Sequence, residues 1–335
     1  MLHFGLVGCG SIAQQRAQAL AASPAARLRA VHDADPARAS AFAQQFHVEA
    51  APTLDALLAR PDIDAVVVST PPDSHAPIAI AALNAGKHVL CEKPLARTPD
   101  EARHILDAAA RAGRTLATGF NFRFYPSVAK ARELFQSGAI GPLDHIRASC
   151  GYRIDPASGW LHDASITGGG ALQDNGIHLI DTVLHFLGDA SETHGHATEI
   201  HGHTTSSLHH WPGCEENGFL LLRNAQGRVA TLQASWTEWA GYHFRVELHG
   251  ALGLIRFTCF PMLTELITAQ GRQRFYHPHA NLMEKLKSYR WIVVQSFLRE
   301  FEEFARLVAG QPSLIATGHD GWRAVHAAAA ARGRA

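Results

Sequence analysis

Lys93 and the pair Asp174 and His178 combine reactive side chains with spacing that can serve chemistry. Lys93 closes the run Val89-Leu90-Cys91-Glu92-Lys93-Pro94. The apolar residues read as a strand, and Pro94, with no N–H for a sheet ladder, ends it. Lys93 is therefore held at the carboxyl end of a strand, the edge at which open α/β sheets bind ligands. A lone lysine there is most often a solvated charge; its neighbours argue for more. Asp174 and His178 follow Gly168-Gly169-Gly170. Four residues apart on a helix opened by that loop, they share one face, with Asp181 three residues on and able to orient or pair with His178. Surface Asp–His pairs of this kind are common and weak. Triple glycine, however, loosens the chain and lets a ligand approach the backbone closely. Histidine ionises near neutral pH and suits proton transfer, and a lysine ammonium can stabilise an oxygen that gains negative charge.

These residues need a sheet to hold them. Phe4-Gly5-Leu6-Val7 reads as a strand entering Gly8-Cys9-Gly10-Ser11-Ile12-Ala13, and a helical run continues from Gln14 to Ala22. Gly8 permits a tight turn, Gly10 lets the backbone approach a pyrophosphate, and Ala13 lets the helix pack closely on the strand. A second strand, Leu28–His32, ends at Asp33, twenty residues past Ala13. An acid there accepts hydrogen bonds from ribose hydroxyls and repels a 2′-phosphate; as an N-cap before the helix at Pro36 it has an equally simple structural role. Further strands are expected at Ala65–Ser69, ending in Thr70-Pro71-Pro72-Asp73-Ser74-His75, and at Leu116–Phe120 after the helix Asp100–Ala112. Strands alternating with helices of this length form a parallel sheet with both faces covered.

Beyond Phe120 the pattern changes. A helix Pro126–Ser137 leads to strands at His145–Tyr152, Gly218–Arg223, Arg228–Trp236, His243–His249 and Gly253–Thr258. Short links such as Asn224-Ala225-Gln226-Gly227 demand antiparallel neighbours. Helical patterning returns at Trp291–Val308, where Phe297, Phe301 and Phe304 form a core stripe, and the Ala324–Ala331 run reads as a terminal helix. Phe219, Leu221, Val229, Thr231 and Gln233 alternate within two of the strands, so one face of this sheet is expected to be partly apolar and to need a cover.

With these segments in place, the chain resembles the glucose–fructose oxidoreductase, inositol dehydrogenase and rhizopine-catabolism (Gfo/Idh/MocA) family. The resemblance rests on Val68-Ser69-Thr70-Pro71-Pro72 with His75, on Ala85-Gly86-Lys87-His88-Val89, and on Glu92-Lys93-Pro94. It continues through Asn121-Phe122-Arg123-Phe124-Tyr125-Pro126, Gly138-Ala139-Ile140-Gly141, Gly168 to Asp181, and Val246 to Ile255, and so covers nearly the whole chain. It implies an α/β fold: an N-terminal Rossmann domain with a doubly wound parallel sheet over residues 1–120, and a C-terminal α+β domain with a mainly antiparallel open sheet over 121–335, whose last helices pack back towards the first. It implies NAD as cofactor, NADP being disfavoured by Asp33, with contacts from Gly8, Gly10, Ser11, Ile12, Asp33, Thr70, Pro71, His75, Glu92 and Lys93. It also implies that Lys93, Asp174 and His178 are catalytic in oxidising a secondary alcohol of a sugar, cyclitol or related polyol, in a cleft between the domains. Either His178 or Lys93 can carry the proton. Arg123, Tyr152, Trp160, His162 and Asp174 are expected to touch the substrate, with Arg153 and Asp163 flanking them. Trp236, Trp239 and Tyr242 fit stacking on substrate less well than sheet packing or a subunit interface. An NAD-retaining glycosidase that oxidises its substrate transiently, and a ligand-sensing regulator without turnover, are the alternatives; the intact reactive trio argues against the last.

Composition agrees. The 335 residues carry 30 basic and 30 acidic side chains, a balance that offers no electrostatic case for nucleic acid or an anionic membrane. No apolar run reaches membrane-spanning length, and with a strand starting almost at Met1 no signal peptide is expected. Cys9, Cys91, Cys150, Cys214 and Cys259 are scattered, as expected for a cytoplasmic protein without disulfides or a thiolate metal site. Among the 22 histidines, His194, His196, His201, His203, His209 and His210 crowd one stretch; no carboxylate or thiolate completes a metal set there, so a hydrated strand-and-loop region is expected. A homodimer or homotetramer is the expected assembly.

Overall fold

The computed structural model describes residues 1–188, 197–287 and 290–333; His194 and His196 lie outside the described residues. The chain forms two compact units. The first comprises Met1–Ala96, Asp100–Asn121 and Lys287–Trp322, the second Arg97–Pro99, Phe122–Leu286 and Arg323–Ala335.

The first unit is built on six strands: β1 (Leu2–Val7), β2 (Ala26–His32), β3 (Glu49–Ala50), β4 (Ala65–Val68), β5 (His88–Glu92) and β6 (Leu116–Gly119). Their order is β3-β2-β1-β4-β5-β6 and every pairing is parallel. The order reverses between β1 and β4, the switch point at which doubly wound sheets bind ligands. β4 is buried at every residue, as a strand covered on both faces must be. The helix Arg290–Val308 packs against the helix Ser11–Ala22, and Phe4 meets Phe301 and Phe304 with ring centroids 5.2 and 5.8 Å apart. The expected phenylalanine stripe is thus core of the first unit.

The second unit holds an eight-stranded sheet: β7 (Leu143–Gly151), β8 (Glu199–Thr205), β9 (Asn217–Arg223), β10 (Val229–Ser235), β11 (His243–Gly250), β12 (Gly253–Cys259), β13 (Met262–Thr268) and β14 (Gly271–Tyr276). The order is β14-β13-β12-β11-β7-β10-β9-β8, and only β7 and β10 run parallel. The helices Pro126–Gln136 and Gly176–Leu187 pack on this sheet, so burial along β9 alternates between inward Leu220 and Leu222 and outward Phe219 and Leu221.

The outward face is less apolar than expected. Cross-strand partners share a face, and one row across the sheet reads Arg274, Glu265, Arg256, Glu247, Arg147, Thr231, Leu221, His201. Alternating charges span five strands, with Arg256 Nε on Glu247 at 2.7 Å and Arg274 Nε on Glu265 at 3.0 Å. The large exposed apolar groups of this row and its neighbour sit towards the two ends of the sheet, Leu221 and Phe219 on β9 and Tyr276 on β14.

Candidate functional site

In the first unit, the turn after β1 carries Gly8 at φ +89°, where a Cβ would lie 2.8 Å from the Ser69 carbonyl oxygen. Only glycine fits both the angle and the space. Gly10 is the N-cap of the helix Ser11–Ala22 and supplies no side-chain cap; a Cβ there would meet nothing within 4 Å. The helix therefore presents first-turn N–H groups and its positive dipole end without a side chain in front of them, a ready anion site. Ser11 and Ile12 open that helix and are exposed. Asp33 is buried at the end of β2, accepting from the N–H groups of Cys9 at 2.7 Å and Asp35 at 2.9 Å. Arg38 also reaches Asp33 Oδ1, at 3.5 Å. It is Asp35, not Asp33, that caps the next helix, accepting from the N–H groups of Ala37 and Arg38. Burial and the Asp33 charge push the Cys9 thiol up to about 12, so it stays neutral beside this turn.

Two residues expected to contact the cofactor form internal ties. His75 is fully buried, with Nδ1 2.8 Å from the Pro94 carbonyl and Nε2 2.8 Å from the Thr70 carbonyl. It joins the loops that follow β4 and β5, and burial pushes its imidazole below the usual range. Glu92 is an ion-pair partner of the fully buried Arg16, whose Nη1 also reaches Glu300 at 2.8 Å. Arg16 stacks on Phe297, 4.2 Å from ring centroid to guanidinium carbon. Burial opposes its charge, but the two carboxylates hold it protonated. Apolar periodicity cannot reveal this triad, because its members lie far apart in sequence. Lys93, half-buried, follows Glu92 directly and donates its backbone N–H to Glu92 Oε2 at 3.2 Å. The side-chain hydroxyls of Ser69 and Thr70 are buried without a hydrogen-bond partner among the described residues, and Pro71 caps a short 3-10 turn, Pro72–Ser74. The open helix end, the glycine-lined turn and the acid on β2 together fit a dinucleotide.

In the second unit Asp174 is not on the helix with His178. Residues 171–175 form a turn and the helix begins at Gly176. The glycine loop explains the difference. Gly168 has φ +80°, and a Cβ on Gly170 would lie 2.0 Å from the Glu215 carbonyl oxygen, so the chain is folded tightly against Glu215 before the helix can start. Asp174 Oδ2 accepts from Tyr152 Oη at 2.6 Å and from Trp236 Nε1 at 3.2 Å. Burial and the Asp174 charge push the Tyr152 phenol well up, so it remains a donor. His178 is buried and stacks on Phe122, centroids 4.1 Å apart and planes 11° from parallel. The Asp181 carboxylate takes the guanidinium of Arg123, with Nε at 2.8 Å. Arg123, expected at the substrate, is thus a buried ion-pair member at 2% exposure.

Of the other expected contacts, Tyr152 and Trp236 meet at Asp174, and Tyr242 Oη donates to Asn175 at 3.3 Å. His162 stacks on Trp211, which is sandwiched by His209 and lies edge-on to Trp236. Arg153 lies over the exposed Trp239 ring at 3.6 Å. Asp163 caps the short helix Ala164–Thr167, and Trp160 is exposed. The sequence reading missed Trp211, Glu215 and Glu216. A lone Trp in a histidine-rich loop and two adjacent acids carry no periodic signal. Among the described residues no group of three or more metal-ligating side chains gathers, and no helix is long and apolar enough to cross a membrane.

Residues 2–120 match the family model of an oxidoreductase family with an NAD-binding Rossmann fold, and residues 128–256 match the Gfo/Idh/MocA C-terminal domain. Inositol 2-dehydrogenase of Rhizobium meliloti (strain 1021) is 30% identical over 332 residues, 98% of this chain and 96% of its own length. Levoglucosan dehydrogenase of Pseudarthrobacter phenanthrenivorans is 38% identical over 194 residues, 54% of this chain and 50% of its own. Among solved structures, a levoglucosan dehydrogenase in complex with NADH superposes with a TM-score of 0.86 at 25% identity, covering 99% of this chain and 96% of that one. The chain belongs to the Gfo/Idh/MocA family of oxidoreductases, and its first unit carries that family's NAD-binding Rossmann fold.

Proposed function

We propose that the protein is an NAD-dependent dehydrogenase that oxidises a secondary alcohol of a sugar, cyclitol or related polyol. The full-length similarity to an inositol dehydrogenase, with Lys93, Asp174 and His178 at the family's motif positions, carries this reading. NAD, when bound, accepts the hydride from the alcohol carbon. His178 takes the hydroxyl proton as that hydride leaves, a role suited to an imidazole. Lys93 donates a hydrogen bond to the same oxygen and stabilises its developing charge. Asp174, fixed by Tyr152 and Trp236, binds a neighbouring hydroxyl and sets the orientation of the ring. Gly8, Gly10, Ser11, Ile12, Thr70 and Pro71 hold the dinucleotide, and Asp33 selects against a 2′-phosphate despite the approach of Arg38.

The protein acts in the cytoplasm, a reading supported by its five free, buried cysteines. It assembles as a homodimer or homotetramer through the outward face of the second unit's sheet, where Phe219 and Leu221 are each 40% exposed. Light scattering that finds only the 36.3 kDa monomer at micromolar concentration contradicts the assembly.

A panel of sugars, cyclitols and diols with NAD and with NADP, followed by cofactor absorbance and product mass, tests the activity. Net NADH formation with a ketone product is expected. Cleaved product without net NADH indicates the glycosidase reaction, and tighter binding of NADPH than NADH overturns the cofactor assignment.

A further inference from the structure

Cys214-Glu215-Glu216 leads into β9, and both glutamates are buried, at 5% and 0% exposure. Buried carboxylates are costly unless hydrogen-bonded, and these two spend their bonds on different segments. Glu215 takes the N–H groups of three successive residues. Its carboxylate accepts from Gly170 at 3.0 Å and Leu172 at 2.9 Å, and its carbonyl from Ala171 at 2.8 Å. Arg332 approaches the same carboxylate at 3.5 Å. Asp174 follows two residues after Leu172, its N–H bonded to the Gly170 carbonyl at 3.0 Å. Glu215 therefore shapes the turn that carries the Asp174 backbone.

Glu216 works from the other side. Its carboxylate accepts from Ser207 at 2.9 Å, Leu208 at 2.8 Å and His210 at 3.2 Å, and from His209 between them. Burial opposes the Glu216 charge, but the four N–H groups hold the carboxyl below its usual range. The loop so gathered presents Trp211 edge-on to Trp236, centroids 6.1 Å apart. The Glu216 carbonyl accepts the Trp236 backbone N–H at 2.8 Å, and Trp236 Nε1 reaches Asp174.

We propose that Glu215 and Glu216 are positioning residues for Asp174, Glu215 fixing its backbone through the Gly170–Leu172 turn and Glu216 fixing its carboxylate through the Ser207–Trp211 loop and Trp236. The role of Asp174 towards a polyol rests on the function proposed above; the positioning itself does not. Neither glutamate touches the substrate in this scheme, yet small displacements of a positioned group cost on the order of 10²-fold in rate.

The test pairs a spectroscopic with a kinetic readout in Glu215→Gln and Glu216→Gln. Full-length protein labelled with 5-fluorotryptophan reports Trp236 by ¹⁹F NMR, its resonance assigned by loss in Trp236→Phe. Asp174→Asn is expected to shift that resonance in the wild-type background, because Trp236 Nε1 donates to the Asp174 carboxylate. Both glutamine variants are expected to shift or broaden it, and adding Asp174→Asn to either is expected to move it little further. A Trp236 resonance at its wild-type position in both variants, with the full Asp174→Asn shift retained, overturns the proposal. On a polyol that the wild type oxidises, kcat should fall on the order of 10²-fold in each variant while NAD affinity is unchanged; wild-type kcat in both also overturns it. If the wild type oxidises no polyol, the proposed function fails and the ¹⁹F result still decides this inference. Should a glutamine variant not fold, Glu215→Asp or Glu216→Asp, which keeps the charge but withdraws the acceptor by one methylene, takes its place in the same measurements.

Discussion

The two sheets solve the same problem in opposite ways. In the first unit, β4 is buried throughout, and the charge that enters this core, Arg16, is matched by Glu92 and Glu300. In the second unit one face takes helices, and the other carries the row of alternating arginine and glutamate from β14 to β7. A sheet covered on both faces must settle its charges in pairs away from water; a sheet with an open face can leave them screened and weakly coupled. The same chemistry, a guanidinium between two carboxylates, should therefore be worth much more in the first unit than in the second.

The largest expected effect is at Arg16. Arg16→Met strands two buried carboxylates and should cost about 3–5 kcal/mol in urea unfolding, with part of the loss recovered when Glu92→Gln and Glu300→Gln are added. A loss below about 1 kcal/mol, the range of exposed pairs, breaks the contrast. Next, adjacent residues of β9 separate the two faces. Leu222→Ala, at 0% exposure, should cost about 2–5 kcal/mol, whereas Leu221→Ala, at 40%, should stay within about 0.5 kcal/mol for the isolated chain. The open-face ladder is tested at Glu247. Although burial opposes its charge, Arg245 and Arg256 hold its carboxyl at about 2, against the usual 4.5. A lowered folded-state value contributes stability that is present above 4.5 and lost as pH falls towards 2. Glu247→Gln should flatten acid unfolding across that window and leave stability at pH 7 lower than wild type; an unchanged acid limb contradicts the ladder's contribution.

The same contrast governs what could be read in the sequence. Continuous apolar runs such as Val66-Val67-Val68 announce buried parallel strands, and the Gly8–Ala13 turn and Asp33 fall where the glycine spacing puts them. In the second sheet, β9 to β12 alternate clearly, but β13 and β14 escaped. Met262–Thr268 breaks its alternation with Thr264 and Glu265 both buried, and Gly271–Tyr276 is an edge strand with almost no buried residue. The misplacement of Asp174 on a helix has a similar origin. Spacing describes a helix face, but tertiary contact at Gly170 decides where that helix starts. The ties at His75, Arg123 and Glu92 were legible as polar residues in family motifs, not as buried ones. Their partners Pro94, Asp181 and Arg16 are 19, 58 and 76 residues away, and no local pattern links them.

In the proposed reaction His178 takes the hydroxyl proton as hydride leaves the same carbon. Turnover of His178→Ala on the polyol that the wild type oxidises, measured alongside NAD affinity, tests it most directly. Turnover should fall about 10²–10⁴-fold with NAD binding unchanged, because the proposed dinucleotide contacts at Gly8, Gly10 and Asp33 are left intact. Near-wild-type turnover in the alanine variant would contradict that role.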